Sequence, residues 1–256
     1  MCRLLNKVNQ IHNLLIDYNI DILCLCETWL RSDVTDIELQ INGYHLYRCD
    51  RTSRRGGGVA IYARMADKFK FEELDINCVL DYETIVLKAS PCNAKPFIIC
   101  SIYRPPNSRS ESDQNFLTFV KQFTEELILG GDVNIDYNTS KTNEWFKTMD
   151  DLGLKQLIQS PTRIVNNSKN SIIDHIYTNS DKYIHNYGTI EFEISNHKPV
   201  FICRKLRKNS YLRNQYKIIK FRDFKNFDKN CFESSSNLLF AEITEDKIDI
   251  IDKRYQ

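Results

Sequence analysis

Five short apolar runs in this chain each end in polar groups that a buried strand does not leave unpaired. They finish at Cys26-Glu27-Thr28-Trp29, Ser101-Ile102-Tyr103-Arg104-Pro105-Pro106, Gly131-Asp132-Val133-Asn134, Ser171-Ile172-Ile173-Asp174-His175 and Ser195-Asn196-His197-Lys198-Pro199. Burying an unpaired charge is costly, so a single such end reads as a salt bridge. Five together predict side chains converging on one rim of a sheet sandwich, where loops on a rigid scaffold build a site. Hydropathy period supplies the scaffold. Leu4, Val8, Ile11, Leu15 and Tyr18 recur at helical spacing and predict an amphipathic helix over 3–19. The nearly all-apolar run 21–27 predicts a buried strand with a functional group at its C-terminal end. Further strands are predicted over 44–48, 58–63, 83–89 and 97–103, the last stopped by Pro105-Pro106. A second helix is expected over 112–126, with Phe116, Phe119, Val120 and Phe123 on one face, then a strand at 127–131. A third helix at 142–151 has Thr142 as N-cap and Gly153 as its stop, and strands follow at 172–178, 189–194 and 199–203. Many strands with a few interleaved helices argue for an α/β or α+β sandwich rather than a bundle.

Composition narrows the classes. At 256 residues the chain can bury a substantial core, and 42% hydrophobic with 11% aromatic content excludes a disordered chain. Only 8 Gly and 6 Pro exclude a collagen-like or low-complexity architecture. The longest apolar stretches, such as 97–102, are too short to span a bilayer, and the N-terminal residues lack the apolar core of a secretory signal. An intracellular monomer in nucleus or cytoplasm, without a membrane partner, is expected. Nine cysteines make no CxxC pair and no zinc spacing, and an odd count without a framework suits a reducing compartment. Cys24, Cys26, Cys100 and Cys203 fall in apolar runs and read as small core hydrophobes.

A net charge of +1 says nothing of partners, but its distribution does. Between Arg204 and Arg222 stand eight Lys or Arg and no acid, with Tyr211, Tyr216 and Phe221 interleaved. That pattern fits nucleic-acid binding or a solvated linker. It sets a domain boundary near 205, dividing a 1–204 domain from a 205–256 tail. Arg48, Arg51, Arg54 and Arg55, followed by Gly56-Gly57-Gly58, make either a solvated hairpin turn or a loop able to approach a polyanion closely. Contact with a DNA backbone is the expectation for these four and for Arg104.

The residue types at the strand ends suit metal-assisted phosphodiester hydrolysis. A hard cation needs carboxylate oxygen, which Glu27 offers. Water needs a base, for which Asp132 is the candidate. Developing phosphoryl charge needs donors, and Asn134, His197 and Tyr103 can supply them. Asp174 can stand behind His197 and orient it. Each has a plainer reading: Glu27 as a solvated strand end, Asp132 and Asn134 as an Asx turn, His197 as a surface loop residue, Tyr103 as strand packing. Their company favours chemistry. His175 falls on the opposite strand face by period-two alternation and reads as structural, as does Trp29.

The segments ETW, YRPPN, GGDVN, SIIDHIYTN and SNHKP, in this order, resemble the endonuclease/exonuclease/phosphatase superfamily, over roughly residues 2–203. Within it they look most like the apurinic-type endonuclease domain of non-LTR retrotransposons. The resemblance implies a four-layer sandwich, two facing sheets with helices outside. It implies magnesium as cofactor, with manganese as the alternative, and DNA as the substrate. One strand would be nicked to leave a 3′-hydroxyl that primes a reverse transcriptase, the partner in the intact element. It further implies Glu27 as metal ligand, Tyr103 as phosphate contact, Asp132 and Asn134 around the attacking water, and Asp174 paired to a His197 that meets the scissile phosphate.

Two departures accompany the resemblance. Family members begin with a strand ending in Asn near the metal, where this chain has Met1, so a first strand is expected to be missing and a sheet edge left unpaired. The family also carries Asp before its last His, where this chain has Asn196, an amide that coordinates a metal without charge. Both departures support a second reading, a degenerate remnant that binds DNA without cutting it. A third keeps the fold and changes the substrate to a phospholipid or inositol phosphate.

Overall fold

The apolar periods resolve into three α-helices and eleven strands among the described residues of a computed structural model. Those residues are 4–206, apart from 53, 68, 77–79, 93, 139–142, 165–169 and 193, together with 229, 230 and 232–234. In chain order come α1 (Val8–Asp17), extended backwards by a 3-10 turn from Leu4, then β1 (Ile22–Cys26), β2 (Tyr44–Cys49), β3 (Val59–Arg64), β4 (Phe69–Glu73), β5 (Glu83–Pro91) and β6 (Phe97–Tyr103). They are followed by α2 (Ser110–Val120), β7 (Leu127–Asp132), α3 (Glu144–Asp151), β8 (Lys155–Gln156), β9 (Asp174–Thr178), β10 (Ile184–Thr189) and β11 (Val200–Arg204). Contacts divide the chain into a unit spanning Met1–Arg213 and a second, Asn214–Gln256, whose described residues are helical. The basic segment beyond Leu206 lies outside the described residues.

A six-stranded sheet runs in the order β4-β5-β6-β7-β9-β8, and a three-stranded sheet in the order β1-β3-β2. One face of the large sheet carries α2 and α3: Ile98, Cys100 and Ile102 of β6 pack with Phe116, Val120, Trp145 and Met149. Phe116 and Trp145 stack with ring centroids 5.5 Å apart. The opposite face meets the small sheet through Val59, Ile61, Ile85, Leu87 and Tyr103. Leu4, Ile11 and Leu15 then cover the outer face of the small sheet against Ala60 and Tyr62. The result is the expected four layers, helix, sheet, sheet, helix. Among the described residues no helix is long and apolar enough to cross a membrane.

Two pairings position the strand ends. β6 and β7 are parallel, with α2 as their crossover, so Tyr103 and Asp132 finish side by side. β9 runs antiparallel to β7 and sets Asp174 opposite Asp132. A third sheet pairs β10 with β11. Among the described residues β1 pairs with β3 alone and β11 with β10 alone, so each keeps an edge without a ladder. Ile128 of β7 packs, as do Ile22 and Cys24 of β1, against Ala89, Phe97 and Ile99, and, as do Val200 and Ile202 of β11, against Leu157, Ile158, Ile172 and Ile176.

Several element ends differ from the periodicity. The second helix stops at Val120, because Gln122 and Phe123 N–H groups turn back to Phe119 and Val120 and free the chain to enter β7. Phe123 still reaches Phe119, edge to face, at 5.2 Å. The cap of α3 is Asn143, whose Oδ1 accepts from Trp145 N–H at 2.8 Å; Thr142 lies outside the described residues. The strand expected at 189–194 lies at Ile184–Thr189 instead. Beyond it, Phe192 and Ile194 N–H groups bond to Ile190 and Phe192, two tight turns that extended backbone cannot make. β4 and β8 carry no clear hydropathy period in the sequence.

Candidate active site

The turn after β7 is built by its own side chains. Asp132 Oδ1 accepts the Asn134 N–H at 3.1 Å, and Asn134 Nδ2 donates to the Arg104 carbonyl at 3.0 Å. Asn134 sits at φ 55°, a left-handed conformation Asn tolerates better than most residues. The Asx turn is therefore present, and it serves to fix a buried carboxylate at a strand end. Gly131 is required one residue earlier, because a Cβ there would lie 1.8 Å from the Ile102 carbonyl oxygen.

Opposite Asp132, His197 Nδ1 lies 2.9 Å from Asp174 Oδ2 and 3.2 Å from Oδ1. The two sit 23 residues apart and are joined by Thr162, fully buried, whose Oγ1 accepts the Ile173 and Asp174 N–H groups, each at 3.1 Å. The Thr162 carbonyl takes Lys198 N–H at 2.7 Å, which docks the His197 loop. Ser195 Oγ accepts the His197 N–H at 3.0 Å and closes that loop on itself. One potential ligand atom each from Asp132, Asp174 and His197 lies within 4.8 Å of the others.

The electrostatics follow from the crowding. Burial, then the charge of Asp174, push the Asp132 carboxyl up to about 7, with a smaller contribution from Glu27; the charge of His197 works against the shift. Burial alone would lower the pKa of His197. The hydrogen bond and charge of Asp174, with Asp132 adding, raise it. A buried carboxylate repelled by two others is relieved by a cation, and hard carboxylate oxygens are donors that divalent magnesium or manganese accept. The residues present therefore fit a metal.

Glu27 forms the neighbouring wall. Its Oε1 accepts the Tyr103 hydroxyl at 2.8 Å. Burial, followed by this bond and the carboxylate charge, keeps the Tyr103 phenol protonated by raising its pKa. Glu27 and Trp29 both stand at φ 55°, strained for such side chains and held by a neighbouring loop. That loop is Gly56-Gly57-Gly58, whose carbonyls at 57 and 58 accept Trp29 and Thr28 N–H groups. A Cβ at Gly57 would lie 2.4 Å from the Arg51 guanidinium carbon, so only glycine lets that side chain pass.

Three of the five arginines expected on DNA are engaged by carboxylates of this chain. Arg51 binds Glu83 through Nε and Nη2, the latter at 2.8 Å, keeps a side chain only 8% exposed, and lies 5.4 Å over the Tyr103 ring. Arg104 grips Asp113 at 2.6 and 2.9 Å and is similarly enclosed. Arg48 pairs with Asp50 and Asp36. Arg51 finds its carboxylate 32 residues away, whereas Arg48 finds one of its two only two residues on. Arg54 and Arg55 remain exposed, the latter 5.6 Å over the Trp29 ring. Arg204, first of the basic run, is bonded to Glu126 at 2.6 and 2.7 Å.

Asn196 is exposed on the His197 loop, its carbonyl accepting the Ile164 N–H at 3.1 Å. His175 points away from the site into an aromatic cluster, fully buried. Sequence reasoning passed over Thr162, Glu83 and Cys26. Thr162 carries no signal beyond a Pro-Thr pair in a loop, and Glu83 reads as an ordinary strand start. Cys26 reads as a hydrophobe, yet its Sγ donates to the Ile102 carbonyl at 3.2 Å and accepts the Asp132 N–H at 3.4 Å. Burial, with the Asp132 charge next, pushes that thiol well up and keeps it a donor.

Solved structures with the same architecture share little sequence. The endonuclease domain of TRAS1, a telomere-specific non-LTR retrotransposon, superposes with a TM-score of 0.62 at 16% identity, covering 80% of this chain and 94% of that one. The 3′-5′ exonuclease NExo of Neisseria meningitidis gives 0.57 at 21% identity, covering 78% and 94%. An AP endonuclease of Archaeoglobus fulgidus gives 0.58 at 15%, covering 78% and 95%. Comparison with the curated proteins finds no match. The sequence profile described as the Endonuclease/Exonuclease/phosphatase family matches residues 2–197, a span that contains Glu27, Tyr103, Asp132, Asp174 and His197. With the profile and the sandwich in agreement, the chain belongs to the endonuclease/exonuclease/phosphatase family.

Proposed function

We propose that this chain is a divalent-metal-dependent DNA endonuclease of retroelement type, which nicks one strand and leaves a 3′-hydroxyl. The observation that carries the reading is the meeting of Asp132, Asp174 and His197 within 4.8 Å, beside the Glu27–Tyr103 pair. Glu27, with Asn196 as a neutral amide donor, would hold magnesium or manganese, which supplies charge neutralisation at the phosphate. Asp132, buried at the end of β7, takes a proton from the attacking water, which Asn134 helps orient. His197, oriented by Asp174, donates to a non-bridging phosphoryl oxygen. The Tyr103 hydroxyl, anchored on Glu27, faces the same phosphate. Water oxygen bonds to phosphorus, the P–O3′ bond breaks, and the departing oxygen takes a proton from solvent to become the new hydroxyl.

Exposed Arg54 and Arg55 supply backbone contacts, and the tail after residue 204 serves as a basic linker toward a reverse transcriptase in the intact element. The domain acts as a monomer. The similarity to TRAS1 favours the retroelement branch. A neutral, exposed Asn196 favours the competing reading, a remnant that binds without cutting.

Nicking of supercoiled plasmid tests both. Open circles are expected with magnesium and not with EDTA, and His197→Ala is expected to lower the rate by roughly 10² or more. A folded chain that binds plasmid but leaves it intact with magnesium and manganese overturns the nuclease reading in favour of the remnant. Release of phosphate from DNA 3′ ends or from inositol phosphates, without nicking, moves the substrate to another branch of the family.

A further inference from the structure

Strand β1 and the large sheet meet beneath the site at one sulfur atom. Cys26 immediately precedes Glu27, and its thiol donates to the Ile102 carbonyl at 3.2 Å while accepting the Asp132 N–H at 3.4 Å. Those two partners lie on neighbouring strands, β6 and β7, where Ile102 pairs with Gly131. The missing side chain at Gly131 is what lets them converge, since a Cβ there would overlap the Ile102 oxygen. The sulfur thus touches the residue before one proposed catalytic group and the backbone of the other. An aliphatic side chain of the same volume would fill the space and make neither bond. A left-handed Glu27 is a conformation that needs outside support.

We propose that Cys26 is a positioning residue, a thiol rivet that sets the separation between the Glu27 turn and the Asp132 turn. The proposal rests on the endonuclease reading for its kinetic consequence but not for its geometry. A thiol donates one hydrogen bond and accepts another, and a hydroxyl can do the same, whereas valine matches only the volume.

The test compares Cys26→Val, Cys26→Ser and the wild-type chain by plasmid nicking and by amide exchange at Asp132. Cys26→Val is expected to lower kcat roughly tenfold with KM and salt dependence unchanged, because remote misplacement of catalytic groups costs turnover rather than DNA affinity. The Asp132 amide is expected to exchange about five- to tenfold faster in that variant. Cys26→Ser is expected to recover most of both losses. Equal losses in the serine and valine variants mean that sulfur volume matters and the bonds do not, which overturns the proposal. So does a valine variant with wild-type turnover and wild-type exchange. If the wild-type chain does not nick DNA, the endonuclease reading fails and the exchange measurement alone decides the rivet. Faster exchange in valine, restored in serine, upholds it; unchanged exchange removes it.

Discussion

Arg51 and Arg55 stand four residues apart in one loop and answer to different physics. Arg51 is consumed by Glu83 and by the Tyr103 ring, so its reach ends at the wall that carries Glu27. Arg55 has only the Trp29 face beneath it and keeps its charge in water. A guanidinium that meets phosphate contributes to the salt dependence of binding, whereas one that supports a neighbour does not. Arg55→Ala is therefore expected to weaken DNA binding and to reduce the slope of log K against log salt by about 1. Arg51→Met is expected to leave that slope unchanged and to lower turnover, through a loosened Tyr103–Glu27 pair. Binding isotherms at several salt concentrations, in EDTA, read the first effect without any cleavage. A smaller slope in Arg51→Met returns that residue to the DNA surface.

Among the elements, α2 is fixed to the β6 exit by charge rather than by apolar contact alone. Arg104 leaves β6 with its guanidinium bonded to Asp113 in the first turn of α2 and to the Val133 carbonyl at 3.3 Å. It lies 5.9 Å over the Trp145 ring, and the Tyr82 hydroxyl also donates to Asp113. Removing one partner of such an enclosed pair strands the other charge. Asp113→Ala is expected to cost about 3–5 kcal/mol, measured by denaturant unfolding. A loss below about 1 kcal/mol would mean that water reaches Arg104 and screens it as at a surface. The same geometry explains why helix prediction over 112–126 overran. Phe123 belongs to the apolar face by period, but the chain must leave the helix for Ile98 N–H to reach the Glu126 carbonyl at 2.8 Å and for β7 to begin beside β6.

Across the whole molecule, pH acts through buried groups of opposite sign. His175 is held neutral, with Nε2 bonded to the Ile172 carbonyl at 3.0 Å and Nδ1 to the Tyr177 hydroxyl at 3.1 Å. Trp145 Nε1–H donates to that same hydroxyl, which leaves its proton for Nδ1 and places the His175 proton on Nε2. Burial, only partly offset by the bond to Ile172, lowers the His175 pKa from 6.5 to about 4. Since the unfolded chain binds this proton first, the stability His175 confers is present above pH 6.5 and is lost as pH falls toward 4. Asp132, raised in the folded state, works in the opposite direction, so the sum conceals both. The difference from His175→Phe separates them. That variant is less stable at pH 7, and its deficit is expected to shrink by up to roughly 3 kcal/mol between pH 6.5 and 4. Unfolding curves with a pH-independent deficit would mean that His175 titrates normally.

Sequence alone determined the order of strand ends and the chemistry they carry. Strand termini, Asx turns and glycine punctuation are local, so Glu27, Tyr103, Asp132, Asn134, Asp174 and His197 were legible as candidates before any contact was known. Their convergence follows from a parallel β6–β7 pair and an antiparallel β9. Which charges face solvent, and which side chains hold the candidates in place, depends on contacts between distant strands. Arg51 meets Glu83 across 32 residues, Cys26 meets Asp132 across 106, and Thr162 joins Asp174 to the His197 loop. Pattern cannot report such pairings, because a buried arginine and an exposed one have the same sequence neighbours, and the free energy that distinguishes them comes from a carboxylate delivered by another strand.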